Sequence, residues 1–230
     1  MALDLTGNGY LTQSGDGIFP TTLTTDGIWM LVGFQFKTDT ADDADLISFQ
    51  EPGDTGDLLR IRADLDGTDQ LFLSTRMNGG GTNTIGGVAS EITIGEWHVA
   101  AARIALDDTI PDRTDQWFYF DDASVFTSVD IDRGTPPLDF GIFDEFRLGD
   151  DDNGPIMACV AVGTGDPSGF LAHVHAGGDP TAYAFGSGPG EDSTATLIAL
   201  YTMDRTTVET FSGSHPEAQN TVDASYSDWA

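Results

Sequence analysis

Apolar residues in this chain come in short runs or in strict alternation, with no long segment at helical spacing. From Ile28 to Lys37 the pattern predicts a strand with Ile28, Met30, Val32, Phe34 and Phe36 on one face. Trp29 and Leu31 occupy the other face until Gln35 and Lys37 turn it polar. Such a strand is buried on both sides at its start and on one side at its end. Leu58 to Asp64 alternates, with Leu59, Ile61 and Ala63 inward and Arg60, Arg62 and Asp64 outward. Leu71 to Arg76 pairs with it across the turn dipeptide Asp66-Gly67. Further strands are predicted over Asp45–Gln50, Ile92–Leu106, Asp115–Thr127, Phe143–Gly149, Pro155–Val162 and Thr194–Met203. Gly, Asp, Asn, Pro and Thr clusters separate them. One short helix is predicted near Gly169 to Ala176. Many short strands with regular turn signals predict an all-β fold, an antiparallel two-sheet β-sandwich. No fixed-period repeat and no clear linker divide the chain. The reading is one domain over 1–230, with 191–230 as a closing strand plus a C-terminal extension.

Five segments, in order, carry a resemblance: Gly7-Asn8-Gly9-Tyr10-Leu11, Gly27 to Phe36, Gly95-Glu96-Trp97-His98-Val99-Ala100, Phe118-Tyr119-Phe120-Asp121-Asp122 and Phe146-Arg147-Leu148-Gly149. Together the chain resembles the laminin-G-like, or concanavalin-A-like, jelly-roll superfamily. The resemblance implies a sandwich, and it leaves function open, because this fold hosts lectins, adhesion modules, glycosidases, lyases and virion proteins. The chain departs from the family at two places. Met157-Ala158-Cys159-Val160-Ala161 stands where the family often continues with Ile-Asp-Asp, so an acidic ligand from that position is lost. Asp122 replaces the usual turn glycine. Leu197 to Asp204 resembles a segment that usually opens such domains, which implies a permuted layout with a late strand beside the N-terminal one.

Charge narrows the partners. The chain holds 38 acidic residues against 9 basic ones, a net charge of −29, and 31 of the acids are Asp. Nucleic acid is strongly disfavoured as a partner, since phosphate binding needs clustered Lys or Arg. An anionic membrane surface is disfavoured for the same reason. Such a charge repels itself in dilute buffer and is screened by salt, which predicts a saline setting and a melting temperature that rises with salt. Cys159, the only cysteine, lies in the apolar run Ile156–Val162 and reads as an inert core thiol. The N-terminal residues show neither a signal peptide nor a membrane span. A virion protein assembled in the host cytoplasm would reach the outside without one.

Candidate chemistry follows from residue type and spacing. Glycoside hydrolases of this fold use a Glu-x-Asp-x-x-Glu strand, which is absent here. Asp130 and Asp132 share a face but lack a third acid, and Asp144 and Glu145 point to opposite faces of a strand. A lyase would need cationic groups around a uronate, and one Lys with scattered Arg does not supply them. His173 and His175 would share a face on a strand and suit a transition metal, but not on a helix. Calcium is the cation the loops suit best, with Asp150, Asp151, Asp152 and Asn153 as ligands and Asp121 added if the loops converge. No cofactor is otherwise required. For a glycan, the candidate stacking residues are Trp117, Tyr119 and Trp229. Trp29, Trp97 and Trp117 sit inside apolar strands, where core packing competes with that role.

The resulting expectation is a non-catalytic virion surface protein of a phage, a capsid decoration or fibre component. Its partners would be other virion proteins and a cell-surface glycan, and open sheet edges suit a homo-oligomer. The alternative is a calcium-assisted carbohydrate-binding module of a secreted, extracellular protein. A polysaccharide hydrolase or lyase comes third.

Overall fold

The computed structural model describes residues 2–5, 10–14, 23–37, 43–50, 58–64, 70–76, 83–86, 92–110, 113–121, 123–132, 145–149, 155–202 and 220–222. The strands are β1 (Ala2–Asp4), β2 (Tyr10–Ser14), β3 (Ile28–Gln35), β4 (Asp43–Gln50), β5 (Leu58–Asp64), β6 (Gln70–Arg76) and β7 (Asn83–Gly86). They continue with β8 (His98–Leu106), β9 (Arg113–Phe120), β10 (Ala123–Asp132), β11 (Glu145–Gly149) and β12 (Ile156–Gly165). A helix, α1 (Ser168–His175), and a 3-10 turn (Pro180–Ala182) precede β13 (Ala195–Tyr201) and β14 (Asn220–Val222).

These strands form two antiparallel sheets. One has the order β10-β9-β8-β3-β12-β1-β14, with β13 also paired to β12. The other has the order β2-β11-β4-β5-β6-β7. The predicted hairpin is present, with Leu58 opposite Arg76 and Asp64 opposite Gln70; its turn at Asp66-Gly67 lies outside the described residues. Because β3 occupies one edge of β12, β1 and β13 share the other: β1 pairs at Ile156 and Met157, β13 from Val160 to Gly165.

The layer between the sheets is built by the alternation read in the sequence. Ile28, Met30, Val32, Phe34 and Phe36 meet Leu59, Ile61, Ala63, Phe49 and Phe146 there, all buried. Phe49 and Phe146 stack across β4 and β11 with centroids 4.2 Å apart. At one end the layer turns polar: Gln116 of β9 donates from Nε2 to Thr75 Oγ1 of β6 at 3.2 Å, and all three of Gln116, Thr75 and Thr114 are buried.

Trp29 and Leu31 point the other way, into a second apolar layer on the outside of the eight-stranded sheet. Val99, Ala101, Tyr119, Ala158, Cys159 and Ala161 complete its floor, and Phe170, Leu171 and Val174 of α1 form its roof. A helix of eight residues is marginal alone, and three buried side chains worth about 2 kcal/mol each hold it in place. The Trp29 ring lies flat across β12 at Gly163, where a Cβ would collide with it and with the Thr196 carbonyl. Trp29 Nε1 donates to the Thr164 carbonyl at 2.9 Å.

Two predicted strands depart from their apolar patterns. The run from Ile92 becomes a strand only at His98, because Gly95 takes φ 86° in a turn closed by Glu96 N–H donating to Thr93 O. The run Asp115–Thr127 breaks into β9 and β10 at Asp121, which adopts φ 55°. Asp is among the few non-glycine residues that tolerate this region. The β12 run is longer than predicted and bulges between Met157 and Cys159, which puts both Ala158 and Cys159 on the outer side.

Candidate functional site

The outer face of the six-stranded sheet is charged. With Ile47, Phe49, Leu59, Ile61, Leu71, Leu73, Phe146 and Leu148 turned inward, their strand neighbours turn outward. Arg147 of β11, Ser48 of β4, Arg60 of β5 and Ser74 of β6 stand in one register row. Asp45, Arg62 and Phe72 form the next. Arg60 Nη1 donates to Asp45 Oδ2 at 3.2 Å. Glu145 Oε1 accepts from Arg147 Nε at 3.2 Å and from Gln50 Nε2 at 2.5 Å. The Arg62 guanidinium carbon lies 5.9 Å from the centroid of the half-buried Phe72 ring. Among the described outward side chains, three cations (Arg60, Arg62, Arg147) balance three carboxylates (Asp45, Asp64, Glu145).

Among the described residues, Ser48 Oγ and Arg60 Nε of this lattice are buried donors without a hydrogen-bond partner. Ser48 is 1% exposed. A buried polar group left unpaired costs on the order of 1–3 kcal/mol, whereas partly exposed ion pairs contribute roughly 0–1 kcal/mol. The face is therefore poorly explained by stability. Arg60 and Arg62 were visible in the sequence as outward alternating positions, but nothing local linked them to Ser48, Gln50, Glu145 and Arg147. That set is assembled by strand pairing across 102 residues of chain from Asp45 to Arg147.

The expected stacking residues lie elsewhere. Tyr119 is 6% exposed, beneath α1, and burial, with Asp166 nearby, pushes its phenol up to about 12. This position removes Tyr119 from any glycan surface. Trp117 is half-buried beside the same layer, and the Arg103 guanidinium carbon sits 4.2 Å from its ring centroid. Arg103 also donates to the Asp26 carbonyl at 3.1 Å. Trp229 lies outside the described residues. Trp29 and Trp97 pack in the outer apolar layer, as framework.

Asp121 acts as a clamp. Its Oδ1 accepts from Val99 N at 3.1 Å, and its own N–H donates to the Val99 carbonyl at 2.7 Å. Its Oδ2 lies 3.4 Å from His98 Nδ1, and its Oδ1 lies 3.7 Å from His175 Nδ1 at the end of α1. His98 Nε2 lies 3.0 Å from Thr93 N and 3.3 Å from the Thr93 carbonyl, so the ring is held between Thr93 and Asp121. Both oxygens of Asp121 thus face protein groups, and the loop expected to share calcium with it falls outside the described residues. Asp150, Asp151, Asp152 and Asn153 lie outside the described residues, and among the described residues no group of three His, Cys, Asp or Glu is arranged to hold a metal. His173 and His175 lie on the helix and diverge: His173 Nε2 bonds the Asp179 carbonyl at 2.9 Å, while His175 faces Asp121. Asp130 and Asp132 fall on β10, where their side chains lie outside the described residues.

A second polar knot ties down the segment after α1. Tyr183 Oη donates to Asp192 Oδ2 at 2.6 Å, and Asp192 Oδ1 accepts from Thr194 N–H at 2.8 Å. Burial and the Asp192 carboxylate raise the Tyr183 phenol well above its ordinary range. Burial acts against the Asp192 charge, but the bonds from Thr194 and Tyr183 hold its carboxyl below the usual value. Cys159 is fully buried, and burial pushes its thiol up to about 12, which makes it inert. No described helix is long and apolar enough to cross a membrane.

No known family profile matches the sequence. No curated protein matches it either. Solved structures do match in fold. Domains LG4-5 of the mouse laminin alpha1 chain superpose with a TM-score of 0.51 at 9% identity, covering 70% of this chain and 41% of that one. A heptameric SAP-like pentraxin from Limulus polyphemus gives a TM-score of 0.51 at 11% identity, covering 87% of this chain and 92% of that one. A tailspike protein from an Escherichia coli O157:H7 bacteriophage reaches 0.45 at 15% identity, covering 74% of this chain and 23% of that one, too distant to bear on function. The chain has the laminin-G-like, concanavalin-A-like sandwich fold, as its two antiparallel sheets and these likenesses show.

Proposed function

We propose that this chain is a non-catalytic adhesion module that binds a glycan on the outer face of its six-stranded sheet. The observation that carries the reading is the Arg147–Glu145–Gln50 and Arg60–Asp45 lattice beside the half-buried Phe72. Sugar hydroxyls need donors and acceptors side by side, with an apolar surface for the ring. On the opposite outer face α1 covers Trp29, Leu31 and Tyr119, and the half-buried Trp117 is occupied by the Arg103 guanidinium. In setting, the module belongs on a phage virion exterior as a capsid decoration or fibre component, with a secreted carbohydrate-binding module as the alternative. The net charge of −29 supports an exterior position, away from packaged nucleic acid.

A glycan array, probed with and without calcium and followed by calorimetry, tests the binding. A hit that Glu145→Gln weakens supports the reading; an array without hits in either condition overturns it. Release of reducing or unsaturated ends from a bound polysaccharide would overturn the non-catalytic part. Mass spectrometry of purified particles tests the virion setting, and absence of the chain from them would favour the secreted alternative.

A further inference from the structure

The geometry points to an uncharged, hydroxyl-rich glycan as the ligand class of this face, with one sugar hydroxyl seated on Ser48 Oγ and Arg60 Nε. The inference rests on the glycan reading above and adds the charge of the ligand and the atoms that select it. Ser48 and Arg60 are direct register partners on β4 and β5, and both their unpaired groups can donate. One acceptor oxygen between the strands satisfies both. Arg60 and Arg147, the register neighbours of Ser48, have side chains 25% and 22% exposed, and their surface ion pairs are weak enough for both side chains to move aside for a ligand.

The neighbours decide what carries that oxygen. The Asp45 carboxylate lies 3.2 Å from Arg60 Nη1, and the Glu145 carboxylate serves Arg147 and Gln50 one strand away. A hydroxyl accepts from Ser48 and Arg60 and donates its own proton to Asp45 or Glu145. A carboxylate or sulfate only accepts, so it would face those two carboxylates without a proton to offer. Among the described side chains of this face the cations are already balanced three against three, and the net charge of the chain adds a repulsive field for any anion. Phe72 supplies the apolar surface one row away.

The test is calorimetric titration with the best neutral oligosaccharide and with its uronate and sulfated forms, in about 0.15 M salt to limit long-range repulsion. The neutral form should bind about tenfold more tightly than either acidic form. Ser48→Ala should weaken binding about tenfold while leaving the melting temperature unchanged or higher, because it deletes an unpaired buried hydroxyl. Arg60→Lys, which keeps the charge but removes Nε, should weaken binding with the fold intact. Equal or tighter binding of an acidic form overturns this inference and leaves the glycan-binding function standing. Wild-type affinity in both Ser48→Ala and Arg60→Lys overturns the seat at these two atoms. If no oligosaccharide binds, the function itself fails, and this inference with it.

Discussion

On the outer face of the eight-stranded sheet, Trp29, Leu31, Ala101 and Tyr119 lie beneath α1, and the layer is closed by the Asp121 clamp and the Tyr183–Asp192 bond. On the outer face of the six-stranded sheet, Arg60, Arg62, Arg147, Asp45 and Glu145 lie among buried serines and a half-buried phenylalanine. Both faces are made by the same period-two alternation, and they differ in what covers them. The first is a second core, in which aromatic residues serve stability. The second has paired charges and the unsatisfied donors Ser48 Oγ and Arg60 Nε, which stability does not explain. An aromatic residue in a strand is thus a poor guide to a sugar-binding surface here, and an arginine–carboxylate row is a better one.

The largest test of this contrast is Phe170→Ala, which empties the roof of the covered face. It should cost about 3–5 kcal/mol in denaturant unfolding and leave glycan binding nearly unchanged. A loss of binding equal to the loss of stability would mean the two faces are coupled. Alkaline pH strikes the same face. Tyr119 has a folded pKa of about 12, raised from 10, so its contribution is fully present below pH 10 and is lost as pH rises from there toward 12. The loss is on the order of 2 kcal/mol, and Tyr119→Phe should flatten melting curves measured from pH 9 to 11. Asp121→Ala removes the acceptor for Val99 N–H and places Ala at φ 55°, and should cost about 1–2 kcal/mol. Asp121→Asn, which tolerates that conformation, should recover part of it. The smallest effect on stability belongs to the charged face. Arg147→Gln should shift the unfolding free energy by less than about 0.5 kcal/mol, yet weaken glycan binding severalfold.

Much of the fold was legible along the chain. The two-sided burial of β3 follows from consecutive apolar residues at Ile28–Phe34, and the one-sided burial of β5 from Leu59, Ile61 and Ala63. Helix α1 was legible from Phe170, Leu171 and Val174 between glycines and prolines. The strand ends at His98 and Asp121 were not, since turns at Gly95 and Asp121 depend on bonds to Phe36 and Val99 from distant segments. Tyr119 was misplaced for a related reason: a strand pattern shows that a residue alternates outward, but not that a helix some fifty residues later will fold over it.

By itself the sequence determined the two-sheet sandwich, the inward set of residues and the buried Cys159. These follow from local periodicity and composition, which every residue carries regardless of its neighbours in space. Only the tertiary structure decided which outer face is covered and which holds Ser48, Arg60, Asp45, Arg147 and Glu145 together. That outcome depends on strand order and register, where one strand's place in a sheet brings residues about a hundred positions apart into a single row.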